Sequence, residues 1–213
     1  MTVSSARRTV GVLRLIAGAT LVVALVFQIT EKAVNNDLIA DQYFSYFTIL
    51  ATMLAIVVLI VGGVLALRHP VDPVAYAVAR MSVTTYAVVT ALVYNVLLRG
   101  IPDEGFIVSP WPGEIMHVWI PLFLLLDWLF SPGRAALRWT GLRIVVIFPL
   151  VWIAFTLVRG AITGWFPYPF LEPSSGFVSI ALYILGIAAL IVGLASLAIA
   201  WSRRGYFSRA SLA

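Results

Sequence analysis

Six long apolar stretches separated by short polar links dominate the chain. They cover residues 10–30, 44–67, 74–98, 113–130, 141–158 and 177–201. Each is close to the roughly 20 apolar residues that a helix needs to cross the hydrocarbon layer of a bilayer. Residues 56–61 are apolar without alternation, which argues against transmembrane β-strands. The pattern predicts an all-α polytopic membrane protein, with residues 1–213 forming one domain that is a bundle of six transmembrane helices.

The composition supports a membrane protein. Of the 213 residues, 62% are hydrophobic and 11% are charged, whereas an average soluble domain has about 25% charged residues. So few charges exclude a water-soluble enzyme, a disordered chain and a nucleic-acid partner. The chain has no cysteine, which excludes disulfides, thiolate metal sites and a cysteine nucleophile. We expect no metal site and no cofactor.

The distribution of charge predicts the orientation of the spans. Eleven of the fourteen lysines and arginines lie at the amino end, in the links after spans two and four, and in the carboxyl tail. These are Arg7, Arg8, Arg14, Arg68, Arg80, Arg134, Arg138, Arg143, Arg203, Arg204 and Arg209. The other side holds seven of the nine acids, namely Glu31, Asp37, Asp41, Asp103, Glu104, Glu114 and Glu172. The positive-inside rule therefore predicts that both termini are cytoplasmic.

Several polar residues lie near the outer ends of the apolar stretches. Ser45, Thr48 and Thr52 have the spacing of one helix face in span two. Asn95 lies near the end of span three, and His117 lies in span four. The predicted orientation puts Thr48, Asn95 and His117 at one depth below the outer surface. The alternative is structural, since a membrane Thr can bond the carbonyl four residues earlier and a single His can serve packing.

Pro121 follows His117 by four residues. A proline at this position removes the amide that would bond the His117 carbonyl, and it predicts a kink beside an ionisable side chain. The apolar stems of Arg99 and Arg159 allow their charged ends to reach lipid headgroups. Asp127, at the inner end of span four, is predicted to pair with Arg134 or Arg138.

Three motifs resemble the androgen-induced-gene family of multi-span membrane proteins and its six-span bacterial relatives. The first is the sequence FSYFT at residues 44–48. The second is His117 with Pro121, and the third is Trp165 followed by YPFLE at residues 168–172. The relatives carry a Ser-Asn pair soon after the Thr of the first motif, where this chain has Ala51-Thr52.

The resemblance implies an integral membrane lipid ester hydrolase of a bacterial plasma membrane. Its substrates would be esters such as fatty-acid esters of hydroxy fatty acids, and its other partners would be membrane lipids. Thr48 would be the nucleophile and His117 the base that takes its proton. Glu114 or Asn95 would orient the imidazole, or Asn95 would stabilise an oxyanion. The aromatic loop 165–173, with Trp165, Tyr168 and Phe170, is either an interfacial belt or a lid that binds substrate.

Two other functions are compatible with the same pattern. The first is a small-molecule transporter or channel, which is disfavoured because no span has a charge at its middle and no repeat with broken helices is evident. The second is a non-catalytic lipid-binding membrane protein that uses the polar layer to bind a headgroup. The sequence does not indicate an oligomeric state.

Overall fold

Six long apolar helices occur in the part of the chain that the structure describes, and the prediction of an all-α bundle with six membrane-spanning helices is confirmed. The computed structural model describes residues 3–101 and 105–204, and no β-strand occurs among them. The predicted outer charges Asp103 and Glu104, and the predicted inner charge Arg209, lie outside the described residues. The spans are Ser5–Val34, Phe47–Arg68, Val74–Leu98, Pro110–Phe130, Gly141–Thr163 and Phe177–Ser202.

Span two begins three residues later than the apolar stretch predicts. A short helix, Ala40–Tyr43, precedes it, and the span itself starts at Phe47 after Tyr46, whose backbone is extended. Ser45 therefore lies before the helix, and the prediction that it shares a helix face with Thr48 is wrong. Its hydroxyl donates to the Asp41 carbonyl at 2.6 Å, which closes the turn.

Spans three and four each contain a π-helical segment, and the two segments lie next to each other in the bundle. Tyr94–Leu98 forms the end of span three, and Ile115–Trp119 lies inside span four. In span four the wider turn accompanies Pro121, which has no amide hydrogen to donate to the preceding turn. Such π-helical turns are rare and occur frequently at functional sites.

Spans one and two pack closely because glycines face each other. A Cβ atom on Gly11 would lie 3.0 Å from the carbonyl oxygen of Gly63, and one on Gly63 would lie 2.9 Å from the carbonyl oxygen of Gly11. Small residues of this kind let helix backbones approach in a membrane, where packing rather than the hydrophobic effect holds helices together. The contact fixes the position of span one against the bundle.

A buried cluster of charged residues lies at the end of the bundle that contains the amino terminus. Its six members are each at most 8% exposed: Arg7, Arg14, Asp72, Arg80, Asp127 and Arg134. Asp127 accepts a hydrogen bond from Arg14 Nε at 3.1 Å and pairs with Arg80 Nε at 2.8 Å. Asp72 pairs with Arg80 at 3.0 Å and also with Arg7.

Other polar groups complete this charge cluster. The Ser131 hydroxyl accepts hydrogen bonds from Arg80 at 2.5 Å and from Arg14 at 3.1 Å. Arg7 donates to the carbonyls of His69 and Pro132 at 3.1 and 3.0 Å. Buried charges require hydrogen bonds to many groups, because removing a charge from water is costly.

The cluster corrects one prediction. Asp127 pairs with Arg14 and Arg80 rather than with Arg134 or Arg138, and Arg134 instead donates to the Trp128 carbonyl. Arg14, Arg80 and Asp127 lie within the bounds of spanning helices, toward the end of the bundle that contains the amino terminus and not at the middle of a span. Sequence spacing missed these pairs because Arg14 and Asp127 are 113 residues apart.

Candidate functional site

An apolar cavity lies beneath the loop that joins spans five and six. Its volume is about 150 Å³, and spans two, three, five and six enclose it together with that loop. Isoleucine, leucine, valine and phenylalanine side chains make up most of the wall. The lining residues that carry a polar side-chain atom are Thr48, Thr90, Tyr94, Trp152 and Tyr168.

Most of the polar lining groups lie at the loop end of this cavity. Thr48 is the second residue of span two, and Tyr168 belongs to the loop itself. The indole nitrogen of Trp152 donates to the Ser45 carbonyl at 2.9 Å, just ahead of span two. The cavity is thus polar near the loop and apolar within the bundle, which is the usual arrangement where a few polar groups orient a mostly apolar ligand.

The half-buried Thr48 differs from Thr20 and Thr30, which also lie in a spanning helix. Thr20 and Thr30 bond their own helix carbonyls four residues earlier, at 3.0 and 2.8 Å. The Thr48 hydroxyl instead forms a hydrogen bond with Tyr168. The structural alternative for Thr48, in which it bonds its own helix, therefore does not describe this residue.

The start of span two adds backbone donors beside Thr48. The first amides of a helix have no partner within it, and Tyr46 at the N-cap provides no side-chain hydrogen bond to them. The backbones of Phe47 and Thr48 form hydrogen bonds with Tyr168. Because a helix N-terminus carries partial positive charge, these groups favour negative charge on an oxygen placed next to Thr48.

Tyr168 is held firmly in place. It is 8% exposed, and its ring packs against Tyr46 at 5.7 Å, Trp152 at 5.9 Å and Phe170 at 5.2 Å between ring centroids. Burial raises the pKa of the Tyr168 hydroxyl to about 12, although the hydrogen bonds with Thr48 act in the opposite direction. The hydroxyl is therefore neutral at physiological pH and can donate a hydrogen bond.

The rest of the loop covers the cavity and is attached to span five. Phe170 lines the cavity together with Tyr168. Trp165 packs against Tyr46 at 5.7 Å and lies under the Arg159 guanidinium at 4.6 Å, and it is not among the lining residues. Phe166 occupies the space that a side chain on Gly160 would need, since a Cβ there would lie 2.1 Å from its ring.

His117 lies next to the cavity, behind Tyr94. The two rings are stacked, with centroids 3.8 Å apart and planes 18° apart. His117 Nδ1 is 2.8 Å from the Gly113 carbonyl oxygen. A carbonyl only accepts hydrogen bonds, so Nδ1 carries the proton and Nε2 of the neutral ring is left as the acceptor. In this tautomer Nε2 is the ring nitrogen that can accept a proton.

Asn95 and Glu114 contact the surroundings of His117 rather than its ring. Asn95 donates to the His117 carbonyl at 3.3 Å, which satisfies the group that Pro121 leaves without an amide. Its side-chain oxygen accepts a hydrogen bond from Arg99 at 2.8 Å, and Arg99 also pairs with Glu114 at 2.8 Å. Among the described residues, the group that orients the imidazole by a hydrogen bond is thus the Gly113 carbonyl.

The two arginines predicted to reach the headgroups have carboxylate partners in the protein. Arg99 pairs with Glu114, and Arg159 pairs with Asp41 at 2.5 Å. Both pairs are partly exposed, so each stabilises the fold only slightly. They join neighbouring segments at the end of the bundle that holds the loop between spans five and six.

Thr48 and His117 are connected through intermediate residues. Tyr94 lines the cavity with Thr48 and stacks on His117. A second, small cavity of about 10 Å³ is lined by Thr48, Pro121 and Met116, which is the neighbour of His117 in the chain. No hydrogen bond joins Thr48 to His117 in the described parts of the chain, and catalytic hydrogen bonds often form only when substrate is bound.

The sequence analysis missed three of the residues that shape this site. Tyr94, Trp152 and Thr90 line the cavity, but each lies within an apolar stretch. The signal for Tyr94 was its position beside Asn95, at the predicted polar depth. No comparable signal exists for Trp152, because its role depends on a turn that precedes another span.

Comparisons with known proteins do not assign the chain to a family. No family model matches it, and neither the curated proteins nor the solved structures include a significant match. No group of three His, Asp or Glu residues that could hold a metal ion occurs within residues 3–101 and 105–204. The functional argument therefore depends on the cavity and on the groups around Thr48.

Proposed function

We propose that the protein is a hydrolase that cleaves carboxylic esters of lipids within the membrane. The observation that carries the proposal is the position of Thr48, a hydroxyl at the polar end of an apolar cavity beside the first amides of span two. A lipid ester has the same division, since its acyl chain is apolar and its carbonyl group is polar. Fatty-acid esters of hydroxy fatty acids fit this description, and the resemblance of the sequence motifs favours them.

In the proposed reaction Thr48 Oγ attacks the ester carbonyl carbon, and its proton moves to Nε2 of His117. The hydrogen bond between Nδ1 and Gly113 keeps Nε2 available for this proton. The Oγ–C bond forms, and negative charge develops on the carbonyl oxygen. Donors for this oxygen are the amides at the start of span two and the neutral Tyr168 hydroxyl, in the manner of an oxyanion hole.

Collapse of this intermediate breaks the bond to the alcohol, which takes the proton from His117 as it leaves. A water molecule then gives a proton to His117 and attacks the acyl carbon. The fatty acid is released, and Thr48 regains its proton from His117. Each step uses only the ester, water and these side chains, so the scheme needs no metal or cofactor.

The proposal is tested by incubating the purified protein with a panel of lipid esters and measuring released fatty acid by mass spectrometry. A fluorophosphonate probe with a long alkyl chain, which traps activated hydroxyl nucleophiles, is expected to modify the peptide that contains Thr48. Thr20, which bonds its own helix, serves as the matched internal control and should remain unmodified. Absence of both hydrolysis and Thr48 labelling would leave the non-catalytic lipid-binding function as the better explanation.

The same proposal places the active site near the extracytoplasmic surface of a bacterial plasma membrane, with both termini in the cytoplasm. The support is the concentration of positive charge near the termini and in the links after spans two and four. A phosphatase reporter fused after Ala213 is expected to be inactive, and a fluorescent protein fused at the same point should fold. The opposite pair of results would reverse the orientation and place Thr48 near the cytoplasm.

A further inference from the structure

The cavity is open toward the lipid between spans five and six. Leu150 of span five and Val192 of span six both line it, yet they are 61% and 41% exposed. A side chain that borders a cavity and is also exposed marks the edge of an opening. Both residues lie within spanning helices, so this opening faces the hydrocarbon layer and not water.

The cavity also extends along the axis of span six. Ile184, Ala188 and Val192 follow one another at intervals of four residues and all line the wall. Eight residues of helix correspond to about 12 Å. The space is therefore elongated, and it extends from the loop end, where Thr48 and Tyr168 lie, toward the middle of the bundle.

We infer that the cavity binds a single acyl chain, which enters sideways from the bilayer between spans five and six and places its ester end at Thr48. The occupant follows from the surroundings, because acyl chains are what fills the hydrocarbon layer outside the opening. The inference rests on the proposed function only for the ester at the polar end. It adds the route of entry, the direction of the chain and the residue that limits its fit.

Ala188 is the residue on which the fit depends. It is the smallest side chain that span six contributes to the lining, and it stands between Ile184 and Ile191. An acyl chain gains little apolar contact by leaving lipid for an apolar cavity, so shape decides whether it binds, as for packing between helices in membranes. A large side chain at position 188 should therefore exclude the chain.

The test measures occupancy directly, without requiring turnover. A palmitate ester with a photoreactive diazirine midway along its chain is incorporated into phosphatidylcholine nanodiscs with the Thr48→Ala variant, which should not consume it. Irradiation followed by peptide mapping is expected to label spans five and six at lining residues such as Ile153 and Ala188. Labels spread evenly over outward-facing residues, such as Val23 of span one, would overturn the inference.

A matched pair of substitutions sharpens the result. Ala188→Phe should reduce labelling of the cavity at least about fivefold, because it fills space that the chain needs. Ala189→Phe adds the same side chain at the next position, which is exposed like position 188 but does not line the cavity, and it should change labelling by less than about twofold. Equal labelling in the two variants would contradict the inference.

Two further measurements keep the outcome decisive. If the Ala188→Phe variant is not monodisperse, Ala188→Leu is used in its place. The label map measured with alanine at position 188 tests the inference without either variant. Fatty acid release from unmodified esters is measured separately with Thr48 present. The expected label map without any hydrolysis would support the acyl-chain site and reject the hydrolase function. Hydrolysis together with equal labelling of the Ala188→Phe and Ala189→Phe variants would support the hydrolase function and reject the acyl-chain site.

Discussion

Asp127→Asn is expected to cost the protein about 3–5 kcal/mol of folding free energy, the range observed when one partner of a buried ion pair is removed. Asp127 is 8% exposed and compensates both Arg14 and Arg80. When Asp127 loses its charge, Asp72 is the one carboxylate that remains in the charge cluster. The measurement is the fraction of monodisperse protein in detergent after heating over a range of temperatures.

An exposed aspartate provides the control for this substitution. Asp41 pairs with Arg159 but its side chain is 73% exposed, so Asp41→Asn should change stability by no more than about 1 kcal/mol. Adding Arg80→Gln to Asp127→Asn should restore part of the lost stability, because it removes a charge that the first change left unpaired. Equal stability of the two aspartate variants would show that the cluster does not hold the bundle together.

Thr48→Ala is expected to lower ester turnover at least about 10³-fold, as loss of a nucleophile does in hydrolases that form an acyl intermediate. The substitution removes one hydroxyl and leaves the apolar cavity open, so binding of long esters should persist. Thr48→Ser keeps a hydroxyl at the same position and should retain measurable turnover. The measurement is kcat and KM for release of fatty acid from an ester found in the substrate panel.

Two other variants rank the groups around Thr48. Tyr168→Phe removes one donor for the developing oxyanion and should lower kcat by about 10²-fold, the usual effect of such a loss. Thr20→Ala removes a hydroxyl that bonds its own helix outside the cavity and should leave kcat unchanged. If Thr48→Ala retains the turnover of the Thr20→Ala protein, Thr48 is not the nucleophile.

Hydropathy predicted the spans well because each is long and apolar, but it did not predict how their ends are built. The start of span two at Phe47 depends on a turn closed by Ser45, and the π-helical segment in span four depends on both Pro121 and its neighbours. Pro121 did allow one detailed prediction, namely a carbonyl of His117 without its usual amide. Asn95 is the group that bonds this carbonyl, whereas the sequence predicted a role for Asn95 at the imidazole or at an oxyanion.

The sequence predicted His117 and Asn95 at one depth, and the hydrogen bond from Asn95 to the His117 carbonyl shows that the two residues are neighbours. The predicted depth could not give the role of Tyr168, since a loop residue contacts Thr48 only after spans two, five and six have packed. Pairing of Arg14 with Asp127 was missed for a similar reason. Periodicity describes one helix at a time, whereas ion pairs and cavities depend on which helices become neighbours.

The charge cluster also has a consequence for synthesis of the chain. Arg14 leaves the ribosome 113 residues ahead of Asp127, so span one enters the bilayer before the main partner of its guanidinium exists. After three spans, Arg7, Arg14 and Arg80 share one carboxylate, that of Asp72. An unpaired charge in a spanning helix is costly, which makes this a transient stage of assembly. Span four ends it by delivering Asp127, and the same helix carries His117 to Tyr94, so the second carboxylate of the cluster and the imidazole beside the cavity arrive in one insertion step.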